Sequence, residues 1–404
     1  MELISADWVL PASRPPIRGG AVLVDRDRVA DVGTFDDLAA AHTEAPRQHF
    51  AGCVITPGLV NAHTHLTLTA LAGVVEPLPF AAWLPRLVAA LKPWDVDDHE
   101  ASGVVGAEEC LRSGVTVVGD IAYGAAEVAS ASGAGLGGVY YWEILGMGAD
   151  EVPVALERLR YPATPGAFGP RVTCGLSAHS PYTSGPGLLR AVHDAADRLG
   201  VPHVIHVAES QAELDLLRDG SGPLASVASR TARGFVPPVA TTVRYLDDLG
   251  ALAGSTAVHL CYVTPDDVAL LARQARGGVT CPRSNRYLSN PAPRVAPLLA
   301  AGLTMGVGTD SSASNADLDL MAEIRAIHAA EPNLPAETLF ALATISGARA
   351  IGVDGSFGSL DSGKQADLVA FELDAAEDPF AAFVRAARPA SVRAVMSGGE
   401  WRVR

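Results

Sequence analysis

The sequence predicts an α/β fold: a (β/α)8 TIM barrel accompanied by a small β-sandwich-like domain built from both termini. Three observations predict it. Eight short apolar runs recur through the middle of the chain, stretches with helical spacing separate them, and the two ends lack that alternation.

The candidate strands are 53–60 (CVITPGLV), 115–119, 138–145, 172–177, 203–208, 256–261, 278–281 and 304–308. They are rich in β-branched and aromatic residues, as parallel strands buried on both faces are. Helical patterns fill the gaps, among them 98–112, 186–199 and 265–276; several open on Asp or Pro and close near Gly. Two more, near 317–330 and 336–350, follow the last run and would close the outside. A doubly wound open sheet is the other arrangement this rhythm allows. Residues 1–56 and 353–404 read as short strands with turns, so we expect one composite β-domain from both ends beside a barrel at 57–352.

The composition agrees with a large packed core: 404 residues, 49% hydrophobic and 19% charged. The formal net charge of −15 with no basic run argues against a nucleic-acid partner. The five cysteines, Cys53, Cys110, Cys174, Cys261 and Cys281, are odd in number and scattered, without a CxxC. No disulfide framework is expected, and a reducing cytoplasm fits. The chain starts without a basic segment leading into an apolar stretch, and no run of 18 apolar residues occurs, so neither a signal peptide nor a membrane span is expected.

The chemistry concentrates at the strand ends. His63 and His65, in NAHTHL, directly follow the first candidate strand, and on extended chain residues i and i+2 point the same way. Two imidazoles so placed can converge on one ion. His206 ends the fifth run, His259 the sixth, and Asp310 follows the eighth. Any one of these could be a hydrogen-bonded structural residue. Four separate strands carrying His or Asp at the rim where barrels place their active sites point to a metal centre. Imidazole and carboxylate donors suit zinc or ferrous iron, and a bound cation can bring the pKa of a water down to about 7.

Glu209, three residues past His206, is either a proton carrier beside the ion or an acid in the first turn of the helical stretch 210–218. His179, after the fourth strand, is either a substrate contact or a turn residue braced before Pro181. The run 133–138, GAGLGG, matches GxGxxG in form but precedes a strand rather than following one, so dinucleotide binding is not expected. At the end of the seventh strand stand Arg283, Ser284 and Asn285. An arginine there suits a substrate carrying a carboxylate, with a structural ion pair as its alternative.

Taken together, PGLVNAHTHL (57–66), SAHSPYTS (177–184), HVAES (206–210), VHLCY (258–262), CPRSN (281–285), GTDSS (308–312) and GSLDSGKQADLVAF (358–371) resemble the amidohydrolase superfamily. The likeness is to its branch of cytosine, adenosylhomocysteine and aminodeoxyfutalosine deaminases and spans nearly the whole chain. The resemblance implies metal ligands at His63, His65, His206 and Asp310. It implies Asp310 as acceptor of the attacking water's proton, Glu209 as proton donor to the ring and the departing amine, His259 as a hydrogen-bond partner of the attacking oxygen, and His179 as a substrate contact. Binuclear relatives use a lysine at a middle strand end, and the only lysines here are Lys92 and Lys364, so one ion is implied, Zn2+ with Fe2+ as the alternative.

The implied reaction is hydrolytic deamination of an adenosine-like small molecule to a keto product and ammonia. CPRSN looks similar to the aminodeoxyfutalosine deaminases of the menaquinone route. The alternatives are an adenosylhomocysteine or methylthioadenosine deaminase, a cytosine or guanine deaminase, or a triazine hydrolase. Trp83, with Phe80 and Trp94, could stack on an aromatic ring or belong to the core. Asp95 stands where nucleoside-binding relatives place an acid for the ribose. A homodimer is the assembly the resemblance implies. A catalytically silent scaffold is the competing class, but it would be expected to lose ligands that this chain retains.

Overall fold

Eight parallel strands hydrogen-bond in the order in which the chain makes them: β1 (Leu59–Thr64), β2 (Val115–Ala122), β3 (Gly137–Glu143), β4 (Val172–Ser177), β5 (His203–Val207), β6 (Thr256–His259), β7 (Gly277–Thr280) and β8 (Met305–Val307). This computed structural model describes residues 1–146, 148–158, 161–162, 166–227, 236–375 and 377–404. Helices alternate with the strands, including Val96–Arg112, Pro186–Leu199, Gln211–Asp219 and Pro265–Gln274. β1 and β2 are buried along their whole length, including the polar Asn61, His63, Thr64, Thr116 and Asp120. Branched side chains from six of the strands, among them Val60, Val117, Val139, Val204, Val258 and Val279, pack together in one core cluster.

The ring is nearly closed where β8 returns to β1. Thr64 bridges Asp310 in parallel register, the Asp310 amide donates to the His63 carbonyl at 3.0 Å, and Asn61 exchanges side-chain bonds of 2.8 and 3.0 Å with Thr309. Gly308 makes this approach possible. A Cβ there would meet the His63 backbone oxygen at 2.6 Å and nitrogen at 2.7 Å, distances that no side chain tolerates.

The termini meet in a second, mixed eight-stranded sheet. Leu368–Glu372 pairs antiparallel with Arg47–Pro57, which lies parallel to Glu2–Val9. This sheet encloses its own core of Ile4, Val22, Ile55, Leu368, Ala394 and Met396. Two expectations change here. The apolar run 53–60 is not one strand: residues up to Pro57 belong to the terminal sheet, and β1 starts at Leu59. Both halves are buried, so hydrophobicity does not reveal that the chain changes partners at Gly58. The stretch 336–350 is two helices, Ala336–Leu342 and Ile345–Ala350, parted where the Ala343 carbonyl accepts from the Val60 amide of β1. GAGLGG joins a helix ending at Ala134 to β3, with Gly135 in the left-handed region at φ 117°, so it presents no helix N-terminus to a phosphate.

Arg171 ties the two bodies together. Its guanidinium donates to both Asp367 carboxylate oxygens, at 2.7 and 2.9 Å, to Gln365 and Ser397 of the terminal sheet, and to the Gly135 carbonyl at the foot of β3. It also lies over the Phe357 ring. Breaking one half of a largely buried pair strands the other charge, so Arg171→Met is expected to lower unfolding free energy by about 3 kcal/mol. Urea denaturation measures it, and a loss under about 1 kcal/mol would show the junction to be dispensable.

Candidate active site

Four imidazoles and a carboxylate converge at the C-terminal mouth of the barrel. His63 and His65 leave β1 on the same side, with ring centroids 5.0 Å apart. His206 from β5 lies 5.0 Å from His63 and 5.7 Å from His65, and His259 from β6 lies 5.3 Å from His206. Ring nitrogens of His63, His65 and His206 all fall within 4.8 Å of one another. Nitrogens about 2 Å from a shared ion in tetrahedral array stand roughly 3–3.5 Å apart, so small side-chain adjustments bring these three onto one cation. Asp310 faces them, its Oδ1 at 3.7 Å from His63 Nε2 and 3.5 Å from His65 Nε2.

The donor set fits a metal on two counts. His63 is completely buried, yet neither ring nitrogen has a hydrogen-bond partner, a costly state for a polar group unless an ion uses it. Burial, reinforced by the neighbouring imidazoles, also holds His63 and His206 far below the usual histidine pKa, so both carry the free lone pair that ligation requires. Burial pushes the Asp310 carboxyl up, but His65, His259, His63 and the Ser284 hydroxyl outweigh it and bring its pKa to about 2. His206 Nδ1 donates to the His179 carbonyl at 2.8 Å, which aims Nε2 at the cluster. Glu143, His179 and His206 form a second, overlapping group of potential donors. His206 has one free nitrogen, so the two groups cannot each hold an ion through it.

Around these donors, the structure sorts the residues singled out from sequence. Asp310 Oδ2 accepts from Ser284 at 2.6 Å and Ser314 at 3.0 Å, leaving Oδ1 toward the histidines. Ser284 therefore serves Asp310. Asn285 Oδ1 lies 3.0 Å from His259 Nδ1 and orients that ring, so it also serves a neighbour. Glu209 sits beside His259, Oε1 to Nε2 3.8 Å. Burial, then Asp310 and Glu213, push its pKa well above the usual carboxylate range. His179 lies at the rim with Nδ1 held by Ser180 and Thr183, so its Nε2 is the nitrogen left for other contacts.

Two residues offered as substrate contacts have protein partners. Arg283 Nη1 bonds Asp317 at 2.6 Å and stands 3.7 Å from the fully buried Glu323. Glu323 in turn accepts from the Arg283 amide and from Asn315, both at 2.8 Å, and these bonds tie the β7 and β8 loops together, while burial pushes its carboxyl up to about 8. Trp83 takes the core position that was its alternative. It is almost wholly buried, packs with Phe80 and Leu87, and donates its indole N–H to the Ala313 carbonyl at 3.2 Å. Asp95 caps the helix Val96–Arg112, accepting from the Asp97 and Asp98 amides.

Sequence reasoning missed two acids. Glu213 is fully buried and accepts from the Ala208 and Glu209 amides at 2.9 Å and from Thr242 at 2.7 Å, which fixes the turn that presents Glu209. Its signal was available: Ser210 and Glu213 have capping-box spacing. Glu143 ends β3 at the rim, and its signal was an acid closing the otherwise uncharged run GVYYW. A cavity of about 640 Å3 opens beside His65 and Glu143 and runs to His99, Tyr123 and Leu145. His99 and Tyr123 stack along it with centroids 4.0 Å apart.

Fold and site together define a metal-dependent hydrolase built on a β/α barrel. A profile described as amidohydrolase family matches residues 54–402, and one described as imidazolonepropionase-like composite domain, bacteria, matches residues 20–45. The chain belongs to the amidohydrolase family. It is 37% identical over 357 residues to the aminodeoxyfutalosine deaminase of Deinococcus radiodurans, covering 82% of this chain and 81% of that one. It is 30% identical to the 5-methylthioadenosine/S-adenosylhomocysteine deaminase of Moorella thermoacetica, covering 98% and 93%. Among solved structures, an adenosine deaminase from Xanthomonas campestris with bound zinc superposes with TM-score 0.85 at 26% identity, over 99% of this chain and 92% of that one. Helicobacter pylori aminofutalosine deaminase shares the fold, with TM-score 0.85 at 23% identity over 99% and 100%.

Two substitutions probe the arrangement. Gly308→Ala should displace His63 and drop bound metal well below one ion per chain, read by elemental analysis; full metal content would show that β1 can yield. Asn285→Ala frees the His259 ring and is expected to lower kcat about 10- to 100-fold with the metal content unchanged.

Proposed function

We propose that this protein hydrolytically deaminates the adenine ring of a nucleoside, with aminodeoxyfutalosine as its preferred substrate. The observation that carries the reading is the pairing of a histidine cluster suited to one cation with a buried acid, Glu209, whose Oε1 lies 3.8 Å from His259 Nε2. In this reading His63, His65, His206 and Asp310 hold the ion. Mixed nitrogen and oxygen donors favour Zn2+, with Fe2+ compatible. The cation's contribution is to make water a competent nucleophile at neutral pH.

The chain's own groups do the rest. Asp310 Oδ1, the oxygen its serines leave free, receives the proton of the attacking water. Glu209 donates to N1 of the ring and, reprotonated by the added hydroxyl as it becomes the keto oxygen, donates to the departing amine; the proton on Asp310 then restores Glu209, so water enters and ammonia leaves. His259, aimed by Asn285, hydrogen-bonds the oxygen that adds at C6. His179 meets the ring through Nε2. The cavity with its His99–Tyr123 wall has room for the group attached to the sugar, which in aminodeoxyfutalosine is aromatic.

The engagement of Arg283 by Asp317 favours a second reading, a methylthioadenosine deaminase, because methylthioadenosine, unlike aminodeoxyfutalosine and adenosylhomocysteine, has no carboxylate for an arginine to recognise. The reading further takes the protein as a cytoplasmic homodimer acting on a small molecule. Its five cysteines are free, and no helix among the described residues is long and apolar enough to cross a membrane.

Incubation with aminodeoxyfutalosine, methylthioadenosine, adenosylhomocysteine and adenosine, followed by the adenine-to-hypoxanthine absorbance change and ammonia release, ranks the substrates. The highest kcat/KM is expected on aminodeoxyfutalosine, and turnover of none would overturn the function. Glu209→Gln should cut kcat by about 10²- to 10⁴-fold while leaving metal content intact. Chelation should abolish activity, and added Zn2+ should restore it.

A further inference from the structure

Two buried acids beside the barrel mouth take no part in the chemistry above. Asp120 lies in β2 and Glu127 in the helix Ala125–Ala134. One oxygen of each has a backbone partner. Asp120 Oδ1 accepts from the Leu66 amide at 2.9 Å, and Glu127 Oε2 accepts from the Tyr123 amide at 2.7 Å. The other two oxygens, Asp120 Oδ2 and Glu127 Oε1, are shut off from solvent and receive no N–H and no hydroxyl from elsewhere among the described residues. The two side chains hydrogen-bond each other instead. Gly103, on the helix Val96–Arg112, leaves room for this contact, since a Cβ there would stand 3.2 Å from Glu127 Cγ.

Donors and acceptors must balance across the pair. The Leu66 and Tyr123 amides each need an acceptor, and the contact between the acids needs one donor and one acceptor. Two carboxylates offer acceptors only. One carboxylate with one carboxylic acid meets every requirement, so a single proton lies between Asp120 and Glu127. Burial pushes both carboxyls up, the direction that a retained proton requires.

The consequence falls on His65. The Leu66 amide belongs to the peptide bond that follows His65, and the carbonyl of that same peptide accepts from the Leu68 amide at 3.0 Å. Gripped from both sides, this peptide fixes ψ of His65 at 81°, where the chain leaves β1 for the short helix Leu66–Leu71. His206 is aimed through its ring, by the bond from Nδ1 to the His179 carbonyl, whereas His65 is aimed through its backbone.

We infer that Asp120 and Glu127 are a positioning pair that shares one proton: Asp120 holds the His65–Leu66 peptide so that the His65 ring faces the cation, and Glu127 holds Asp120. This rests on the reading of His65 as a metal ligand. The test measures Zn2+ affinity by competition with a chromophoric chelator, together with the visible absorption of the Co2+-substituted protein. Asp120→Ala should weaken Zn2+ binding about 10- to 100-fold, as loss of a ligand's outer partner does, and should shift the Co2+ spectrum. Asp120→Asn and Glu127→Gln each replace the shared proton with an amide N–H, so each should stay within about threefold of wild type. The double variant Asp120→Asn/Glu127→Gln has one donor too many. It should lose as much affinity as Asp120→Ala, or fail to fold by circular dichroism where both single variants fold. Asp120→Ala with wild-type affinity and spectrum, or a double variant no worse than its single changes combined, overturns the positioning role while the ligand reading stands. His65→Ala is the control: Zn2+ affinity equal to wild type there removes the ligand reading, and the positioning role with it.

Discussion

Everything at the mouth of this barrel depends on the seam between its first and last strands. His63 and Asp310 come from opposite ends of the barrel sequence, and a peptide hydrogen bond from the Asp310 amide to the His63 carbonyl sets them side by side. Asn61 and Thr309, 248 residues apart, lock the register one step below. Gly308 lets the two backbones approach because it has no side chain to place between them. A shift of the seam by one residue would turn His63 or Asp310 away from the site, since successive side chains point to opposite faces.

The rim carries backbone strain. His179, Ala208, His259, Leu260 and Asp310 all have positive φ, between 48° and 75°. Left-handed backbone at residues other than glycine costs about 1–3 kcal/mol each and persists only where surrounding bonds overdetermine it. Those bonds are present: Ser177 Oγ accepts from the His179 amide, Glu213 holds the Ala208–Glu209 turn, and the His63 carbonyl holds Asp310. The strain turns each chain sharply as it leaves its strand, so functional side chains point across the mouth instead of continuing along the barrel axis.

Much of the polar inventory near the mouth positions other groups. Ser284 and Ser314 hold one oxygen of Asp310, Asn285 holds His259, Glu213 holds the turn before Glu209, and Glu323 with Arg283 joins two loops. Fixing donor groups in advance lets them meet developing charge without reorganising during the reaction. In the run CPRSN, Ser284 bonds Asp310, Asn285 bonds His259 and Arg283 bonds Asp317.

The sequence by itself determined the barrel and the identity of the groups that gather in it. Strand period, helix spacing and the place of a histidine at a strand end are local properties, and β1 to β8 emerged in order from them. The tertiary structure decided how those groups are used. Whether Arg283 reads a carboxylate or pairs with Asp317, whether Trp83 stacks on a ligand or packs beneath Ala313, and whether Glu143 has a partner depend on neighbours far away in the chain. The split of 53–60 between two sheets belongs to the same class, because burial looks alike on either side of Gly58. A residue's chemical type is written at one position, but its hydrogen-bond partners and solvent exposure are set by groups that only folding brings near.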